Sequence, residues 1–310
     1  MLDLYSIGEM VIDFIPGTEE NSYIRNAGGA PANVAIAVSR NGLSSGMCTS
    51  VGDDDFGRFL MKTLKENNVS VINPNLCGMA ITTMAFVSLK EDGDRSFTFA
   101  RKPGADMFLS EEDVHEQDLK DSVIVHAGSC SLSASPVAEA TVKALKLGHE
   151  YGKLVSFDVN YRNLMWNDDQ AACAEKVRTV LPYIDILKIS EEEEELIGNG
   201  SDLLSEMKKY GIRLLVETLG SKGARCYFDG EVFEVPGRKA KAVDATGAGD
   251  AFWGGFLSSL RFQGVTGADM LTREKILTAM NYGNISGWIC VQSKGAIASL
   301  PTRMQIEKYL

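Results

Sequence analysis

A short glycine-rich segment towards the end of the chain carries the residues best suited to chemistry. It reads VDATGAGDAF, with Gly247 and Gly249 ahead of Asp250. Glycine has no Cβ, so the main chain can turn sharply there and approach a ligand closely. Phe252 and Phe256 begin an apolar face at helical spacing, which predicts a helix that starts at this turn. The N-terminus of such a helix offers unpaired N–H groups to a phosphate or a developing oxyanion.

Asp250 is unusual in such an anion site, because a carboxylate repels an anion. Its presence makes chemical sense if it takes a proton from a hydroxyl that attacks a phosphoryl group. The alternative interpretation is structural, since an acid in the first turn of a helix is stabilised by the helix dipole. The segment alone leaves both interpretations open, because short glycine motifs often match by chance.

A second glycine-containing segment lies near the start of the chain and reads NAGGAPANVAIAV. The pair Gly28-Gly29 marks a tight turn, and Pro31 suits the first turn of a helix. Asn33 would lie on that turn, where its amide can exchange hydrogen bonds with a sugar hydroxyl. The alternative is a close-packed junction in which Asn33 caps the helix locally, and the segment alone favours this alternative.

The elements before residue 120 position the second segment. Residues Leu2 to Ile15 are predicted to form one central strand, in which Glu9 and Asp13 would face the same side. For Glu9 we favour a strand end whose carboxylate meets water. Residues 16 to 25 are polar and typical of turns.

An alternating pair of β-rich runs follows, from Ile81 to Leu89 and from Arg95 to Arg101. They are joined by Glu91-Asp92-Gly93-Asp94, which indicates a hairpin. With residues 16 to 25, this hairpin could form a small sheet that acts as a lid and excludes water. The alternative is an edge hairpin of the main sheet.

From about residue 120 the pattern alternates between strand and helix. The predicted strands are Ser122 to Ala127, Leu154 to Val159, Ile184 to Ile189 and Leu214 to Thr218. Such alternation predicts an α/β fold with a mainly parallel sheet covered by helices. Ligands of such sheets bind at the carboxyl ends of the strands.

Three of these strand ends carry polar groups. They are Asp158-Val159-Asn160-Tyr161-Arg162, Lys188-Ile189-Ser190-Glu191-Glu192-Glu193 and Thr218-Leu219-Gly220-Ser221-Lys222-Gly223. In the first, Asp158, Asn160 and Arg162 alternate and would share a face, with a guanidinium suited to phosphate or polyol oxygens. In the second, Ser190 and Glu193 form a capping box, and the structural interpretation is favoured. The third is equally well explained as a plain hairpin turn.

The composition of the chain excludes several classes of protein. Its 310 residues carry a formal net charge of −11 without a long basic run, which argues against nucleic acid or an anionic membrane as partner. The six cysteines are scattered and form no zinc motif or disulfide framework. A signal peptide and a membrane-spanning run are both absent from the pattern, so we expect a soluble cytoplasmic protein.

Taken together, GGAPANVAIAVSRNG, DATGAGDAFWGGF and the closing GAIASLPT resemble the signatures of the PfkB, or ribokinase-like, carbohydrate kinase family. The resemblance implies a ribokinase-like three-layer α/β/α sandwich with a mainly parallel central sheet and a small β lid. It implies a single kinase domain over residues 1–310, with the lid formed by about residues 14–25 and 80–102. The implied reaction is transfer of the γ-phosphoryl group of ATP to a sugar hydroxyl.

The resemblance also assigns roles to particular positions. Asp250 matches the catalytic base, and the main chain of Gly247, Ala248 and Gly249 matches an anion hole. The implied sugar-side positions are Asp13, Gly28, Gly29 and Asn33. The candidates for the nucleotide side are Lys188, Ser190, Glu193, Thr218, Gly220, Gly223 and Asn281.

Metal ions are part of the same expectation. Glu193 matches an acid that supports Mg²⁺ through water, and Ser190 stands where the family has Asn. A monovalent cation, K⁺, is implied near the glycine turn, with Asp244 as its candidate ligand.

The segments FTFARKPGADMFL and DVNYRNLMW most resemble the fructokinase branch, which adds Arg101, Asp106 and Arg162 as candidate sugar-side residues. The expected reaction is fructose to fructose 6-phosphate. Alternatives are a kinase for 2-keto-3-deoxygluconate or ribose, and a non-catalytic sugar-binding protein on the same fold. A dinucleotide dehydrogenase would need GxGxxG directly after the first strand, where this chain has none. The resemblance also makes a homodimer, paired through the lid, a plausible assembly.

Overall fold

We describe the chain from a computed structural model that covers residues 1–19, 21–89, 95–198 and 200–310. Side chains are described throughout these ranges except at residues 89 and 95–97. The predicted turn Glu91-Asp92-Gly93-Asp94 lies outside the described residues. Within the described ranges, no helix is long and apolar enough to cross a membrane.

The strands form a large sheet, a smaller sheet and a two-stranded pair. In chain order they are β1 (Leu2–Ile7), β2 (Val11–Pro16), β3 (Tyr23–Gly28), β4 (Ser45–Cys48), β5 (Val51–Gly52), β6 (Val69–Val71), β7 (Leu76–Cys77), β8 (Met84–Leu89), β9 (Arg95–Ala100), β10 (Ser122–Gly128), β11 (Leu154–Asp158), β12 (Ile186–Ser190), β13 (Leu214–Thr218), β14 (Gly223–Phe228) and β15 (Glu231–Pro236).

The large sheet has nine strands in the order β15-β14-β13-β12-β11-β10-β1-β4-β6. Pairing is parallel from β13 to β6, and the two pairings at the other edge, β13 with β14 and β14 with β15, are antiparallel. The predicted mainly parallel sheet is therefore confirmed.

Helices cover both faces of this sheet. They are α1 (Ala30–Arg40), α2 (Asp55–Glu66), α3 (Glu116–Lys120), α4 (Val137–Glu150), α5 (Gln170–Val180), α6 (Glu194–Gly198), α7 (Leu203–Tyr210), α8 (Ala248–Phe262), α9 (Arg273–Cys290), α10 (Ala296–Ser299) and α11 (Arg303–Glu307). Apolar residues of α1, α2, α8 and α9 join one core, and those of α3 to α7 join the other.

Alternation along the strands explains why there are two cores. In β1, Leu4 belongs to one core and its neighbour Tyr5 to the other. The same division separates Leu154 from Val155 and continues in the neighbouring strands. Successive side chains point to opposite faces of a strand, so a continuously apolar strand requires cover on both sides.

The prediction of one strand from Leu2 to Ile15 is wrong. The chain leaves the large sheet after Ile7, turns at Gly8 with φ of 146°, and enters the smaller sheet as β2. A Cβ at Gly8 would lie 2.7 Å from Pro31 Cγ, so the turn needs a glycine where the start of α1 packs against it. Hydrophobicity alone does not reveal this change of sheet, because both strands are apolar.

The smaller sheet has the order β3-β2-β8-β9, with β2 and β8 parallel and the other pairs antiparallel. It unites the predicted hairpin strands with the segment before α1. Residues 16 to 25 are less turn-like than predicted, because β3 begins at Tyr23 and pairs with β2. The sheet is therefore distinct from the main sheet and not an edge hairpin of it.

The expected alternation of Asp158, Asn160 and Arg162 along one strand is also wrong. Strand β11 ends at Asp158, and Asn160 has φ of 38°. This left-handed conformation turns the chain away from the sheet. Asn160 and Arg162 nevertheless reach the same cavity as the neighbouring strand ends.

Candidate active site

One cavity of about 490 Å³ lies between the carboxyl ends of β11 and β12, the first turns of α1 and α8, and the inner face of the smaller sheet. Its lining includes eight of the predicted site residues: Asp13, Gly29, Asn33, Arg162, Lys188, Gly247, Gly249 and Asp250. These residues come from widely separated parts of the chain. The location at the carboxyl ends of parallel strands is the one that the sequence analysis predicts.

The glycine turn begins α8. Gly247 has φ of 78° and precedes the helix, and a Cβ there would lie 2.9 Å from Ala296 Cβ. Asp244 fastens the turn, since its Oδ1 accepts from Thr246 N (3.0 Å) and Oγ1 (2.6 Å) and its Oδ2 accepts from Gly295 N (3.1 Å). The carboxylate therefore ties two loops together beside the cavity.

Asp250 lies in the first turn of α8 and is buried, yet it lines the cavity. Asn33 Nδ2, on α1, donates to Asp250 Oδ2 at 2.7 Å. This hydrogen bond joins the two predicted segments. It also holds the carboxyl group of Asp250 in one orientation at the cavity.

Burial raises the pKa of Asp250 above its ordinary value. The hydrogen bond from Asn33 acts in the opposite direction, and the nearby carboxylate of Asp158 adds to the increase. Arg162 and Lys188 again favour the charged form. A carboxylate with a raised pKa is a stronger base near neutral pH, which suits the removal of a hydroxyl proton.

Lys188 supplies a positive charge beneath the glycine turn. Its Nζ donates to both oxygens of Asp158, at 2.9 and 2.8 Å, and both side chains are buried. A Cβ at Gly249 would lie 3.5 Å from Lys188 Nζ. Burial opposes charge on Lys188, but the carboxylates of Asp158, Glu193 and Asp250 together outweigh it, so the pKa of Lys188 is raised and its ammonium form is favoured.

Trp253 fixes α8 above this ion pair. Its Nε1 donates to Ser156 Oγ at 2.9 Å. Trp253 lies one helical turn after Asp250, and Ser156 lies two residues before the end of β11. The N-terminus of α8 is thus held at a defined height over the sheet. The helix N–H groups and the fixed ammonium group can stabilise the negative charge of a phosphoryl group during its transfer. The basic carboxyl group can accept the proton of the attacking hydroxyl.

The opposite wall is built from the Gly28-Gly29 turn. A Cβ at Gly28 would lie 2.3 Å from Asp13 Oδ2, so only a glycine leaves room there for the carboxyl group of Asp13. Gly29 has φ of 113° and approaches the Glu9 carbonyl oxygen closely. Burial raises the pKa of Asp13 to about 6, with Arg162 opposing and Asp250 adding to the rise.

Three candidate sugar-side residues, Gly28, Arg101 and Asp106, are absent from this cavity lining. Arg101 Nε and Nη2 contact Asp106 Oδ2 at 2.9 and 2.8 Å, and Arg101 Nη1 donates to Ser133 Oγ at 3.1 Å. Asp106 also accepts from Thr83 Oγ1. The structure places this buried pair behind the wall, where it connects the smaller sheet to the main body.

Glu193 is held by main-chain groups. Its Oε2 accepts from Ser190 N at 2.8 Å, as the predicted capping box requires, and its Oε1 accepts from Tyr161 N at 2.6 Å. It lies outside the cavity lining. The second contact, which joins two strand ends, could not be deduced from the capping motif.

The remaining nucleotide-side candidates lie further along the sheet edge. Thr218 pairs in register with Ser190, and Gly223 has φ of 111°, with space for a Cβ blocked by the Val235 carbonyl oxygen at 2.1 Å. Gly220 borders open space. Asn281 is half-buried on α9, and none of the four belongs to the cavity lining.

The metal expectations find limited support in the described side chains. Within the described ranges, no group of three or more His, Cys, Asp or Glu residues could hold a metal ion. Asp244 makes the three hydrogen bonds of the turn, so a cation there would have to share a carboxylate that already binds main-chain groups.

The sequence analysis assigned no role to Glu9 or Cys130, and both contribute to the cavity lining. Asn160, which it placed with Arg162 at a strand end, also lines the cavity. Glu9 had one usable signal, its position four residues before Asp13, but we favoured a water-exposed strand end. That prediction is wrong, because Glu9 is 5% exposed.

Comparison with known proteins agrees with this geometry. A model of the pfkB family of carbohydrate kinases matches residues 1–303. The probable fructokinase-5 of Arabidopsis thaliana is 38% identical over 99% of this chain and 97% of its own length.

Solved structures are similar over the whole chain. A fructokinase with bound ATP from Xylella fastidiosa has a TM-score of 0.92 at 29% identity, covering 99% of this chain and 98% of that one. A fructokinase from Vibrio cholerae O395, with bound fructose, ADP and calcium ion, has a TM-score of 0.88 at 34% identity, with coverage of 99% and 98%. A double mutant of the latter was solved with fructose, ADP and potassium ion.

Proposed function

Because this chain belongs to the pfkB family of carbohydrate kinases, we propose that it is a fructokinase that transfers the γ-phosphoryl group of ATP to fructose, giving fructose 6-phosphate. Full-length similarity to fructokinases, including one with fructose and ADP bound, supports this substrate. The observation that carries the proposal is the hydrogen bond between Asn33 and Asp250, which places a basic carboxyl group between two helix N-termini in one cavity.

Asp250 takes the proton from the attacking sugar hydroxyl. Its raised pKa makes it a suitable base, and Asn33 holds the carboxyl group in position. The attacking oxygen and the phosphoryl group meet at the start of α8, where N–H groups face the cavity and compensate the charge of the transferred group. The Ala248 N–H donates to Ala245 O at 3.1 Å in the turn, so we assign the principal donors to the helix positions after it.

Lys188 provides the fixed positive charge for the transferred group. Its ammonium group remains protonated beside Asp158 and lies next to Gly249. As negative charge moves toward the leaving oxygen, a pre-oriented ammonium group stabilises it without reorganisation. Lys188 and Asp158 together are neutral, which lets the pair remain buried before substrate arrives.

The sugar occupies the side lined by Asp13, Gly29 and Asn33. Among the described lining residues the cations are Arg162 and Lys188, whereas the acids are Glu9, Asp13 and Asp250. This balance suits a neutral polyol with many hydroxyl groups. It disfavours 2-keto-3-deoxygluconate, whose carboxylate would meet three acids.

We propose that the nucleotide lies along the edge formed by Ser190, Thr218, Gly220, Gly223 and Asn281. The open space at Gly220 leaves the main chain accessible there, whereas Gly223 is buried against β15 and shapes the turn. Mg²⁺ usually keeps several waters and binds one or two carboxylates together with substrate phosphates. Glu193 fits a contact through water, and the ion would neutralise phosphate charge when bound.

The smaller sheet is proposed to act as the lid of a single kinase domain. Val11, Ile15, Val87 and Phe99 line the cavity from this sheet, so it already covers the sugar side. Tyr23 and Ile24 on β3 are exposed, at 48% and 56%, and offer an apolar surface to a second copy in a homodimer. The use of ATP favours a cytoplasmic location.

A substrate panel tests the proposal. Purified protein is assayed with ATP and Mg²⁺ on fructose, ribose, 2-keto-3-deoxygluconate and nucleosides, with phosphorylated products identified by mass spectrometry and ³¹P NMR. We expect the highest kcat/KM with fructose and phosphorylation at O6. A higher kcat/KM with another member would replace fructose as substrate, and absence of turnover throughout would refute the kinase proposal.

A further inference from the structure

Glu9 is a buried acid of the cavity with no role in the mechanism above. It lies in the break between β1 and β2, and its side chain lines the cavity on the sugar side. Its Oε1 accepts a hydrogen bond from the N–H of Ala30, the first residue of α1, at 3.2 Å. One oxygen therefore anchors the start of the helix that carries Asn33.

The other oxygen is in a different situation. Oε2 of Glu9 is buried and forms no hydrogen bond with any residue that the structure describes. A buried polar atom without a partner costs free energy, and most such atoms in folded proteins are paired. Because Glu9 is one of the residues that line the cavity, we expect this unpaired oxygen to find its donor in a ligand hydroxyl.

We propose that Glu9 is a sugar-positioning residue, whose Oε1 fixes the start of α1 while its Oε2 accepts a hydrogen bond from a hydroxyl of the bound sugar. This inference rests on the proposed sugar kinase function. It adds a contact to the sugar that the sequence analysis did not assign. It also links sugar binding to Asn33, because Glu9 contacts the first residue of the helix that bears Asn33.

The charged groups around Glu9 do not supply the missing donor. Arg101 is the cation that acts on Glu9; its Nε donates to Asp106 and its Nη1 to Ser133. Its Nη2 lies 2.8 Å from Asp106 Oδ2 as an ion pair and forms no hydrogen bond with Glu9 or with any other described residue. Asp106 and the thiol of Cys130 also face Glu9, and neither donates to Oε2 among the described contacts. A neutral hydroxyl group fits this environment better than a second cation, because the Arg101–Asp106 pair is already balanced.

The ionisation of Glu9 gives the contact a recognisable signature. Burial raises the pKa of Glu9 to about 7; Asp106 adds to the increase, while Arg101 and the main-chain N–H groups of Glu9 and Ala30 oppose it. The ionised form is the better acceptor for a hydroxyl. We therefore expect the affinity for fructose to increase as pH rises through about 7.

The test compares Glu9→Gln with the wild-type enzyme across pH 6 to 8.5, measuring KM for fructose and for ATP separately. Glutamine keeps an oxygen for Ala30 N–H but turns an NH₂ group toward the sugar. We expect the KM for fructose to rise roughly 10- to 100-fold at pH 8, with the KM for ATP within about twofold. The ratio of the mutant KM to the wild-type KM should grow with pH. Taking this ratio cancels the titrations of Asp13 and Asp250, which both proteins share.

Glu217→Gln is the matched control. Glu217 is also buried, at 1% exposure, and also has one oxygen without a hydrogen bond among the described residues, but it lies on β13 outside the cavity lining. Its KM for fructose should stay at the wild-type value. Since KM does not depend on the amount of folded enzyme, partial misfolding of either variant does not hide the result.

The outcomes separate this inference from the proposed function. If the wild-type enzyme phosphorylates fructose and Glu9→Gln has the wild-type KM for fructose at every pH, the inference is refuted and the proposed function stands. If the wild-type enzyme phosphorylates no sugar of the panel, both are refuted. A rise in the fructose KM for Glu9→Gln that is equal at all pH values would contradict the ionised contact and would also overturn the inference.

Discussion

Helices α1 and α8 approach the same cavity with their N-termini, yet the first turns of the two helices are filled differently. Each helix follows a glycine with positive φ, Gly29 at 113° and Gly247 at 78°. The first N–H of α1 is occupied by Glu9, whereas α8 carries Asp250 in its own first turn. A single hydrogen bond, from Asn33 to Asp250, connects them.

The difference shows how one architecture serves two chemical tasks. A helix N-terminus that is closed by a protein carboxyl group does not attract an anion, so the wall at α1 suits a neutral polyol. The N-terminus of α8 is backed by Lys188 and can receive a phosphoryl group. In the proposed mechanism, Asp250 lies at the boundary between these two regions, where the hydroxyl of the sugar would meet the phosphorus of ATP.

After loss of the proposed base itself, the largest effect is expected at the α8 turn, where one variant changes the space available to a ligand and another changes the backbone conformation. In Gly249→Ala the new Cβ would lie 3.5 Å from Lys188 Nζ, which is an ordinary contact. In the proposed mechanism it would also occupy the space into which the phosphoryl group binds. We expect kcat to fall roughly 100- to 1000-fold, with the melting temperature within a few degrees of wild type.

Gly247→Ala provides the comparison. Its residue needs φ of 78°, and its Cβ would lie 2.9 Å from Ala296, so we expect a loss of about 1–3 kcal/mol of folding stability as well as of turnover. Thermal melts and steady-state rates measure both quantities. Equal melting temperatures for the two variants would contradict the strained turn.

The next effect concerns the charge behind α8. Lys188→Met should lower kcat about 100-fold and reduce stability by about 3–5 kcal/mol, because Asp158 is left charged and buried without its partner. The double variant Lys188→Met/Asp158→Asn should recover most of the stability but little of kcat. Recovery of both together would mean that the pair is purely structural.

A smaller effect is expected where the two helices meet. Asn33→Ala removes the hydrogen bond that lowers the pKa of Asp250, so that pKa should rise further. The base is active when deprotonated, so the acidic limb of the kcat profile should move to higher pH. We expect about a tenfold loss of kcat at neutral pH. An unchanged limb would show that Asn33 does not act on Asp250.

The smallest effect on kcat is expected for Glu9→Gln, at the start of α1, where we also expect a gain in folding stability. The folded protein holds the proton of Glu9 up to about pH 7, whereas the ordinary value is 4.5. Stability therefore falls as pH rises between these values and is lowest above pH 7. Glu9→Gln removes this dependence and should be more stable than wild type at pH 8, by on the order of 3 kcal/mol. Parallel stability curves for the two proteins from pH 5 to 8, measured by urea unfolding, would contradict the buried carboxyl group.

The sequence could predict the two helix N-termini because each is a local pattern. Glycine before a helix at Gly247, Pro31 in a first turn, and the Ser190 to Glu193 capping box all depend on neighbours in the chain. The parallel sheet was likewise predictable, because strands and helices alternate. Each of these features is determined by residues that are close together in the sequence.

The contacts between distant segments could not be predicted in the same way. Lys188 meets Asp158 across two strands, Arg101 pairs with Asp106 behind the wall, and Glu193 accepts from Tyr161. Each contact depends on where the chain turns. The turn at Gly8 divides into β1 and β2 a segment that its hydrophobicity predicts to be one strand. The position of Glu9 follows from that turn, which is why a water-exposed strand end was the wrong prediction.

The most direct test of the central claim is a single-turnover experiment on Asp250→Asn. Enzyme in excess over γ-labelled ATP is mixed with saturating fructose, and transfer is followed by rapid quenching, while fructose binding is measured by calorimetry. Asparagine can still contact Asn33 and the sugar but cannot accept the proton. We predict that the transfer rate falls roughly 100- to 10,000-fold with fructose affinity within about threefold of wild type. A transfer rate close to that of the wild-type enzyme would contradict the assignment of Asp250 as the base.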